Sequence, residues 1–565
     1  MNRDKLITRP AVESMIADGR TIVIYDGYVL RLDSWLEKHP GGRLAILHMV
    51  GRDATDEINV YHSAAVCQSM KAYRIGRQAG PWINMTPPIR GGIYHKEALI
   101  SNDVVSETSE ECDSNSNADD ISSAVDEDGL LELSFGAKPS SPQAGLRKRL
   151  QREDSAAASP DSADEVRLSP TEYTDLAMQS NVEKDIRDYP SLDPAVQQDI
   201  VEKYRALQQT LQDDGLYECP YLDYGKEMIR YTTLFVTSMV ALHYEWYLTS
   251  AVFLGLFWHQ IMFTAHDGGH TAITHNFVFD TLIAIFIADF CCGLSMGWWK
   301  SSHNVHHLVT NQPEHDPDIQ NTPLFATCPS FFKSIRSTYY DGFVFAWDAA
   351  ADFLVPYQKY TYYPIMGLAR FNLYLLSWLH VLSRRSRDLS SSKGAGWIRP
   401  TEITFMACYW FLFGYCLVWR SLPTWTIRVA FVMVSHVVTM PLHVQITLSH
   451  WGMSTAELGE SESFPQRQLR TTMDVDCPAW LDFIHGGLQF QAVHHLFPRL
   501  PRHNLRKAQV HVRAFCRDTG IPYTILDFTD GNKKVLGRLD EIGEQVAHLL
   551  ACQKHMAETG ESGLA

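Results

Sequence analysis

No Cys-x-x-Cys pair occurs in the 565 residues, although eleven cysteines are present. Thioredoxin-type redox centres and zinc ribbons are thereby excluded, and scattered cysteines point to reduced thiols in a cytosol-facing protein. Cys-x-x-Cys-His is missing too, so no haem is attached covalently. The N-terminus, MNRDKLITRP, lacks the apolar core of a cleavable signal peptide. Positive charge is in deficit: 49 basic against 65 acidic residues leave a net charge of −16, which argues against a general nucleic-acid binder. With 45% hydrophobic and 20% charged residues, the chain is neither wholly disordered nor fibrous. Its mean hydropathy of −0.16 averages very unlike parts. Histidine, with 24 copies, is the abundant and informative residue.

Charge and hydropathy divide the chain. Residues 1–80 read as a small mixed domain, with a strand at Thr21–Tyr25, a turn at Asp26-Gly27 and a short helix from Ser34. Residues 81–190 read as a disordered acidic and Ser-rich tether. Ser101 to Gly129 holds ten acidic residues and no basic ones, too polar to bury a core. Arg147-Lys148-Arg149 and Ser-Pro steps at Ser141, Ser159 and Ser169 read as parts of the same solvated tether. Order is expected again at Asp193, an N-cap before Pro194, where Val196, Ile200, Tyr204, Leu207 and Leu211 form one apolar stripe. Residues 191–530 form the main, helical domain, and 531–565 a tail. Four apolar runs suggest membrane spans: Arg230–His243, Trp246–Ala265, Thr401–Trp419 and Trp425–Ser449. Two further runs, Phe277–Trp299 with its Asp280 and Asp289, and Met366–Leu382 with Arg370 and Asn372, carry polar interruptions.

His39-Pro40-Gly41-Gly42 is followed by Gly51-Arg-Asp-Ala-Thr55 and by His62 in Tyr-His-Ser. Two neutral imidazoles from separate elements can clamp one iron axially, leaving no open position, which suits electron transfer rather than oxygen binding. HPGG alone is only a turn. The whole arrangement, ending in Arg74-Ile75-Gly76, resembles the cytochrome b5 family over residues 5–80. That resemblance implies haem b, with His39 and His62 as its axial ligands. Asp33, Glu37, Asp53, Asp56 and Glu57 would suit docking to a basic reductase face, or form a plain solvated surface.

Three polar clusters punctuate the apolar runs: His266-Asp-Gly-Gly-His270, His303-Asn-Val-His306-His307 and Gln491-Ala-Val-His494-His495. On a helix, spacings of three and four put these side chains on one face. A chance His-x-x-His-His is expected roughly 0.04 times in a chain of this histidine content. Eight converging ligands could hold two metal ions. Structural zinc sites usually close with four ligands, often including Cys, while imidazole also suits iron. Redox-inert zinc beside a haem electron donor would have no purpose, so two irons activating oxygen is the consistent reading.

The order HDxxH, HxxHH, QxxHH behind a cytochrome b5 domain resembles the front-end fatty-acyl and sphingolipid desaturases, over residues 5–80 and about 220–530. Trp298-Trp-Lys-Ser-Ser-His303 and Gln489-Phe-Gln491-Ala-Val-His-His-Leu-Phe-Pro498 match as well, with QAVHH standing where QIEHH is usual. The resemblance implies an all-α integral membrane domain with about four transmembrane helices and a cytosolic helical cap, holding a di-iron centre. Its implied iron ligands are His266, His270, His303, His306, His307, Gln491, His494 and His495, with His450 as a further ligand from the helix before the third box. His315 and His485 would orient or cap neighbouring groups.

For the clusters to meet on the cytosolic side, Phe277–Trp299 and Met366–Leu382 must not cross. The basic run Arg499, Arg502, Arg506, Lys507, Arg513 and Arg517 agrees with that side. The resemblance further implies an O2-dependent desaturase of the endoplasmic reticulum membrane, supplied with NAD(P)H electrons by a cytochrome b5 reductase through the haem domain. Pro441–Thr455 and the long acidic insert look most like fungal Δ8-sphingolipid desaturases, acting on a ceramide-type lipid. A fatty-acyl Δ5 or Δ6 desaturase, a lipid hydroxylase on the same scaffold, and a non-catalytic membrane-anchored electron carrier are the alternatives.

Overall fold

The computed structural model describes residues 3–96, 169–389 and 394–560. The acidic insert, Arg147–Arg149, Ser141 and Ser159 lie outside them. The N-terminal domain is a four-stranded sheet with helices on it. Strands β1 (Leu6–Ile7), β2 (Ile22–Tyr25), β3 (Tyr28–Arg31) and β4 (Arg74–Gln78) lie in the order β1-β4-β3-β2, with β1 parallel to β4 and the other pairs antiparallel. Asp26 and Gly27, at φ of 50° and 73°, make the two-residue mirror-image turn that suits a twisted hairpin. Helix α1 (Arg9–Ala17) precedes β2, and α2 (Arg43–Leu47), α3 (Thr55–Tyr61) and α4 (Ala64–Met70) fill the β3–β4 connection. The helix expected from Ser34 is only a 3₁₀ turn at Leu36–Lys38, since Pro40 disfavours helical geometry in the residue before it.

The tether is shorter at both ends than composition suggests. Beyond Pro81, Trp82 donates to the Gly51 carbonyl at 3.1 Å, and Met85 is buried with Val12, Ile16 and Ile22. At the other end, Ser169 opens α5 (Pro170–Asp188) through a reciprocal capping box with Glu172. The Ser-Pro step read as linker is therefore an N-cap followed by proline at the first helical position. Asp185 of α5 pairs with buried Arg470 at 2.8 Å.

Helix α6 (Pro194–Asp213) starts at Asp193 as expected, the Asp193 carboxylate accepting the Ala195 N–H at 2.9 Å. Ile200, Tyr204, Leu207 and Leu211 bury against Phe464, Leu496, Phe497 and Phe515, whereas Val196 stays exposed. Two 23-residue helices, α7 (Tyr221–His243) and α8 (Tyr247–Gly269), then form an antiparallel hairpin. Its pairing runs from Ser238–Ser250 to Tyr231–Thr264. Next come α9 (Phe277–Ile285), which continues as π-helix to Cys291, and α10 (Met296–Leu308), bent from it by 117°.

The acids in this run are buried and occupied. Asp280 accepts the backbone N–H groups of Ile273 and Thr274, Asp289 accepts that of Met296 at the bend, and Glu402 accepts Ser295 and Gly297 there. Helices α11 (Ala349–Leu354) and α12 (Gln358–Leu382) follow as one long element, then α13 (Arg384–Leu389) and α14 (Ile398–Tyr409), continuing as π-helix to Ser421. The last apolar pair is α15 (Trp425–Val437) with α16 (Met440–Leu448).

Among the described residues four elements are long and apolar enough to cross a membrane, Tyr247–Gly269, Ala349–Leu382, Ile398–Ser421 and Trp425–Leu448, and the bent pair Phe277–Cys291 with Met296–Leu308 would make a fifth if taken as one span. The number agrees with the sequence reading, but the membership differs. Ala349–Leu382 enters because the helix that holds the Met366–Leu382 run starts well before it and carries Arg370 as the single charge of its apolar half; that guanidinium is buried, donating to Tyr374 and to the Cys292 carbonyl. Arg230–His243 drops out because the helix it belongs to starts at Tyr221 and carries Asp223, Lys226, Glu227 and Arg230. Both ends of α12 are anchored to one segment, 309–348: Gln358 bonds Ala326, and Arg385, just beyond Leu382, donates to the Tyr339 carbonyl.

The cap is built from α17 (Phe464–Thr471), α18 (Asp482–His485), α19 (Gln491–Leu496), α20 (Leu505–Thr519) and α21 (Phe528–Thr559). Residues 531–559, read as a tail, are thus most of a 32-residue helix, whose Val535, Leu539, Ile542 and Val546 are buried.

Candidate haem and metal sites

His39 and His62 stand across a gap at the edge of the small domain, ring centroids 6.0 Å apart. His39 Nδ1–H donates to the Gly42 carbonyl and His62 Nδ1–H to the Ile58 carbonyl, each at 2.9 Å, so both Nε2 atoms are left to face a ligand. Two metal–imidazole bonds of about 2 Å, with the ring radii added, account for that separation. Burial lowers both pKa values, that of His62 to about 4, so both rings are neutral and able to ligate. His39→Ala or His62→Ala should abolish the Soret absorbance of the purified chain. A full, unshifted Soret band in either variant would remove the axial assignment.

The three boxes converge. His266 and His270 come from the end of α8, His303, His306 and His307 from α10, and His494 and His495 from α19. His266, His270, His303 and His494 bring ligand nitrogens within 4.8 Å of one another, and so do His306, His450 and His495. His307 lies between the groups, stacked on His495 with centroids 4.1 Å apart, its Nε2 3.0 Å from His303 Nε2. Nε2 of His266, His270, His494 and His495 and Nδ1 of His307 are buried without a hydrogen-bond partner. Orphaned nitrogens in such number are costly unless they bind something, and an all-imidazole set with one amide suits iron. Gln491 lines a small cavity beside His266 and His494, and its buried Oε1 also has no partner.

A second layer of groups aims these rings. Asp316 takes His306 Nδ1–H at 2.8 Å and is held by the Asn311 N–H. Gln468 accepts His495 Nδ1–H at 2.9 Å and donates to the His307 carbonyl at 2.7 Å. Buried Asp474, its pKa pushed up to about 6 by desolvation, receives the Ala492 N–H at the start of α19. Such partners fix tautomer and ring direction. His315 and His485 do not join them: His315 bonds Thr338 and faces His48, and His485 packs on Phe528. In Glu-His-Asp-Pro the orienting residue is Asp316, one place beyond the histidine picked from the sequence.

The small domain sits on the helix that carries the second box. Val305, Leu308 and Val309 pack with Ile46, Met49 and Tyr61, and the Tyr61 ring stands edge-on to His307, centroids 6.1 Å apart.

Comparison with known proteins agrees with this division. Residues 8–79 match the family described as cytochrome b5-like heme/steroid binding domain, and residues 245–526 match fatty acid desaturase. A Delta 8-(E)-sphingolipid desaturase of Emericella nidulans is 49% identical over 560 residues, 99% of this chain and 98% of its own length. One from Candida albicans is 45% identical, covering 98% of both chains. The chain belongs to the sphingolipid desaturase family. A Delta(8)-fatty-acid desaturase of Helianthus annuus is 39% identical, but over only 52% of this desaturase. The cytochrome b5 match implies haem, and the family together with the histidine groups implies iron.

Proposed function

We propose that this desaturase introduces a double bond at carbon 8 of the long-chain base of a ceramide-type sphingolipid, in the (E) geometry named for its relatives. The observation that carries the reading is the pair of buried imidazole groups joined by His307 and reached from a haem domain docked on α10. His266, His270, His303 and His494, with Gln491, would hold one iron, and His306, His450 and His495 the other, with His307 serving between them. Bound iron would supply O2 activation, and haem the electrons, one at a time.

The chain's own residues do the positioning. Gln468 and Asp316 keep imidazole nitrogens turned inward, and Asp474 holds α19 so that His494 and His495 stay in register. Phe263, Leu442 and Leu488 form an apolar patch, two of them lining the His266–His494 cavity. That patch would shield the irons from water. Reduction by an NAD(P)H-linked cytochrome b5 reductase, an endoplasmic reticulum location and a cytosolic site belong to the same reading. In it α7 and α8 cross together as a hairpin, Ile398–Ser421 and Trp425–Leu448 cross as a second pair, and α12 lies along the cytosolic side, since both its ends meet segment 309–348.

Expression in a host lacking this desaturation, followed by mass spectrometry of long-chain bases and fatty acids, tests the proposal. A new diene base unsaturated at carbon 8 is expected. New polyunsaturated fatty acids with unchanged bases would overturn the substrate, and a hydroxylated product would overturn the reaction.

A further inference from the structure

We propose, on the long-chain-base reading above, that His259, Gln260 and Gln445 form a subsite for the hydroxyl and amide groups of a ceramide, and that this subsite sets which carbon reaches the irons. His259 and Gln260 lie in α8 and Gln445 in α16, both within elements apolar enough to cross a membrane. Each of the three is 5% exposed or less, and His259 Nε2, Gln260 Oε1 and Gln445 Oε1 are buried without a hydrogen-bond partner. A polar side chain inside a bilayer is costly, and one turned into the bundle marks the path of a polar ligand.

The hydrogen-bonding sense of each group follows from its neighbours. Gln260 Nε2–H donates to the Phe483 carbonyl at 2.9 Å and to His259 Nδ1 at 3.2 Å. The ring proton of His259 is therefore on Nε2, which offers a donor, while Gln260 and Gln445 each offer a carbonyl acceptor. Two acceptors need donors from the ligand. A ceramide carries three, two hydroxyls and an amide N–H; an acyl ester or thioester has none at its carboxyl end.

The position fits the same ligand. His259 precedes His266 by seven residues, two helical turns, so it shares the face of that histidine about 10 Å deeper in α8. Its ring stands edge-on to Phe263, centroids 5.2 Å apart. Phe263 clusters with Leu442 and Leu488, and Gln445 is one turn from Leu442, so one apolar patch joins the subsite to the His266–His494 cavity. Carbons 1 to 3 of a long-chain base stand five to seven bonds from carbon 8, about 6–9 Å of extended chain. The hydrocarbon beyond carbon 8 cannot take this place, because it would leave the donor and both acceptors buried and unmet. A lipid reaches the subsite past α18, which Gln260 holds by the Phe483 carbonyl and which shows Phe483 and Ile484 at the surface.

The test uses the purified chain with haem and iron bound, and two probes whose affinities are measured in detergent: a short-acyl ceramide, and the same molecule without its hydroxyls. The parent should prefer the ceramide by about a hundredfold, tenfold for each acceptor left unmet. Gln260→Leu and Gln445→Leu should each cut that preference to about tenfold, and in the expression host should place double bonds at more than one carbon of the base. Gln445→Leu breaks no hydrogen bond of Oε1, so the question is answered even where Gln260→Leu fails to fold. The Soret band and iron content check both variants. A merely structural role would weaken both probes alike. The parent's preference kept in both variants, with the bond still only at carbon 8, overturns this proposal alone. So does equal binding of the two probes by a parent chain that makes the carbon-8 diene base. A parent chain that makes no such base overturns the long-chain-base reading, and this proposal with it.

Discussion

His307→Ala is expected to abolish desaturation, at least a hundredfold, while the haem spectrum of the purified chain stays unchanged. The ring touches both imidazole groups: it stacks on His495 and has centroids within 4.9 Å of His270 and of His494. It is fully buried, so no water stands ready to replace it. Losing it removes a nitrogen from the seam between the groups, where neither has a spare donor of the same type. His39 and His62 are held by the backbone carbonyls of their own domain, so haem binding is independent of position 307. The measurements are new long-chain base by mass spectrometry, the iron-to-haem ratio by elemental analysis, and the Soret band. Wild-type product from the variant would end the di-iron assignment.

What was legible in the sequence is what is local. Box spacing needs nothing but helical periodicity, and each box does lie at or on a helix. HPGG and His62 belong to one small domain whose turns are written in Asp26-Gly27 and Gly41-Gly42. His450 comes from the resemblance to related desaturases, which place a further ligand before the third box, and it lies with His306 and His495. Errors came where the deciding partner is distant in the chain. Arg370 interrupts the Met366–Leu382 run on paper, but the Cys292 carbonyl 78 residues away satisfies it. Asp185 and Arg470, 285 residues apart, anchor a helix that composition had assigned to a tether. Phe528–Thr559 looks like a polar tail until Val355, Tyr362 and Val444 supply the surface its apolar stripe covers. Gln468 carries no motif at all, and only the fold brings it to His495.

Arg502→Leu is expected to be the most destabilising single change outside the ligand set. In the sequence Arg502 reads as one of six surface cations near the membrane, yet its side chain is only 5% exposed. It lies between two buried carboxylates, Glu227 of α7 and Asp267 of the first box, bonding both. The fork also reaches the Phe263 carbonyl at 3.2 Å, Thr264 at 3.1 Å and Tyr231 at 3.3 Å. Tyr224 donates to Asp267 from the other side. One planar cation thereby ties α7, α8 and the start of α20 together directly behind His266.

Removing one member of a buried ionic group costs about 3–5 kcal/mol, because the charge left behind has no water. At about 2–4 °C per kcal/mol, the thermal transition in detergent should fall by roughly 6–20 °C. Bound iron should fall with it, since Asp267 adjoins His266. Lysine cannot reach two carboxylates with a fork, so Arg502→Lys should recover only part of the loss. Combining Arg502→Leu with Glu227→Gln and Asp267→Asn removes the stranded charges, and should restore more stability than Lys does. A parent-like transition for Arg502→Leu alone would show that the two carboxylates find other partners and that this cluster does not hold the first box in place.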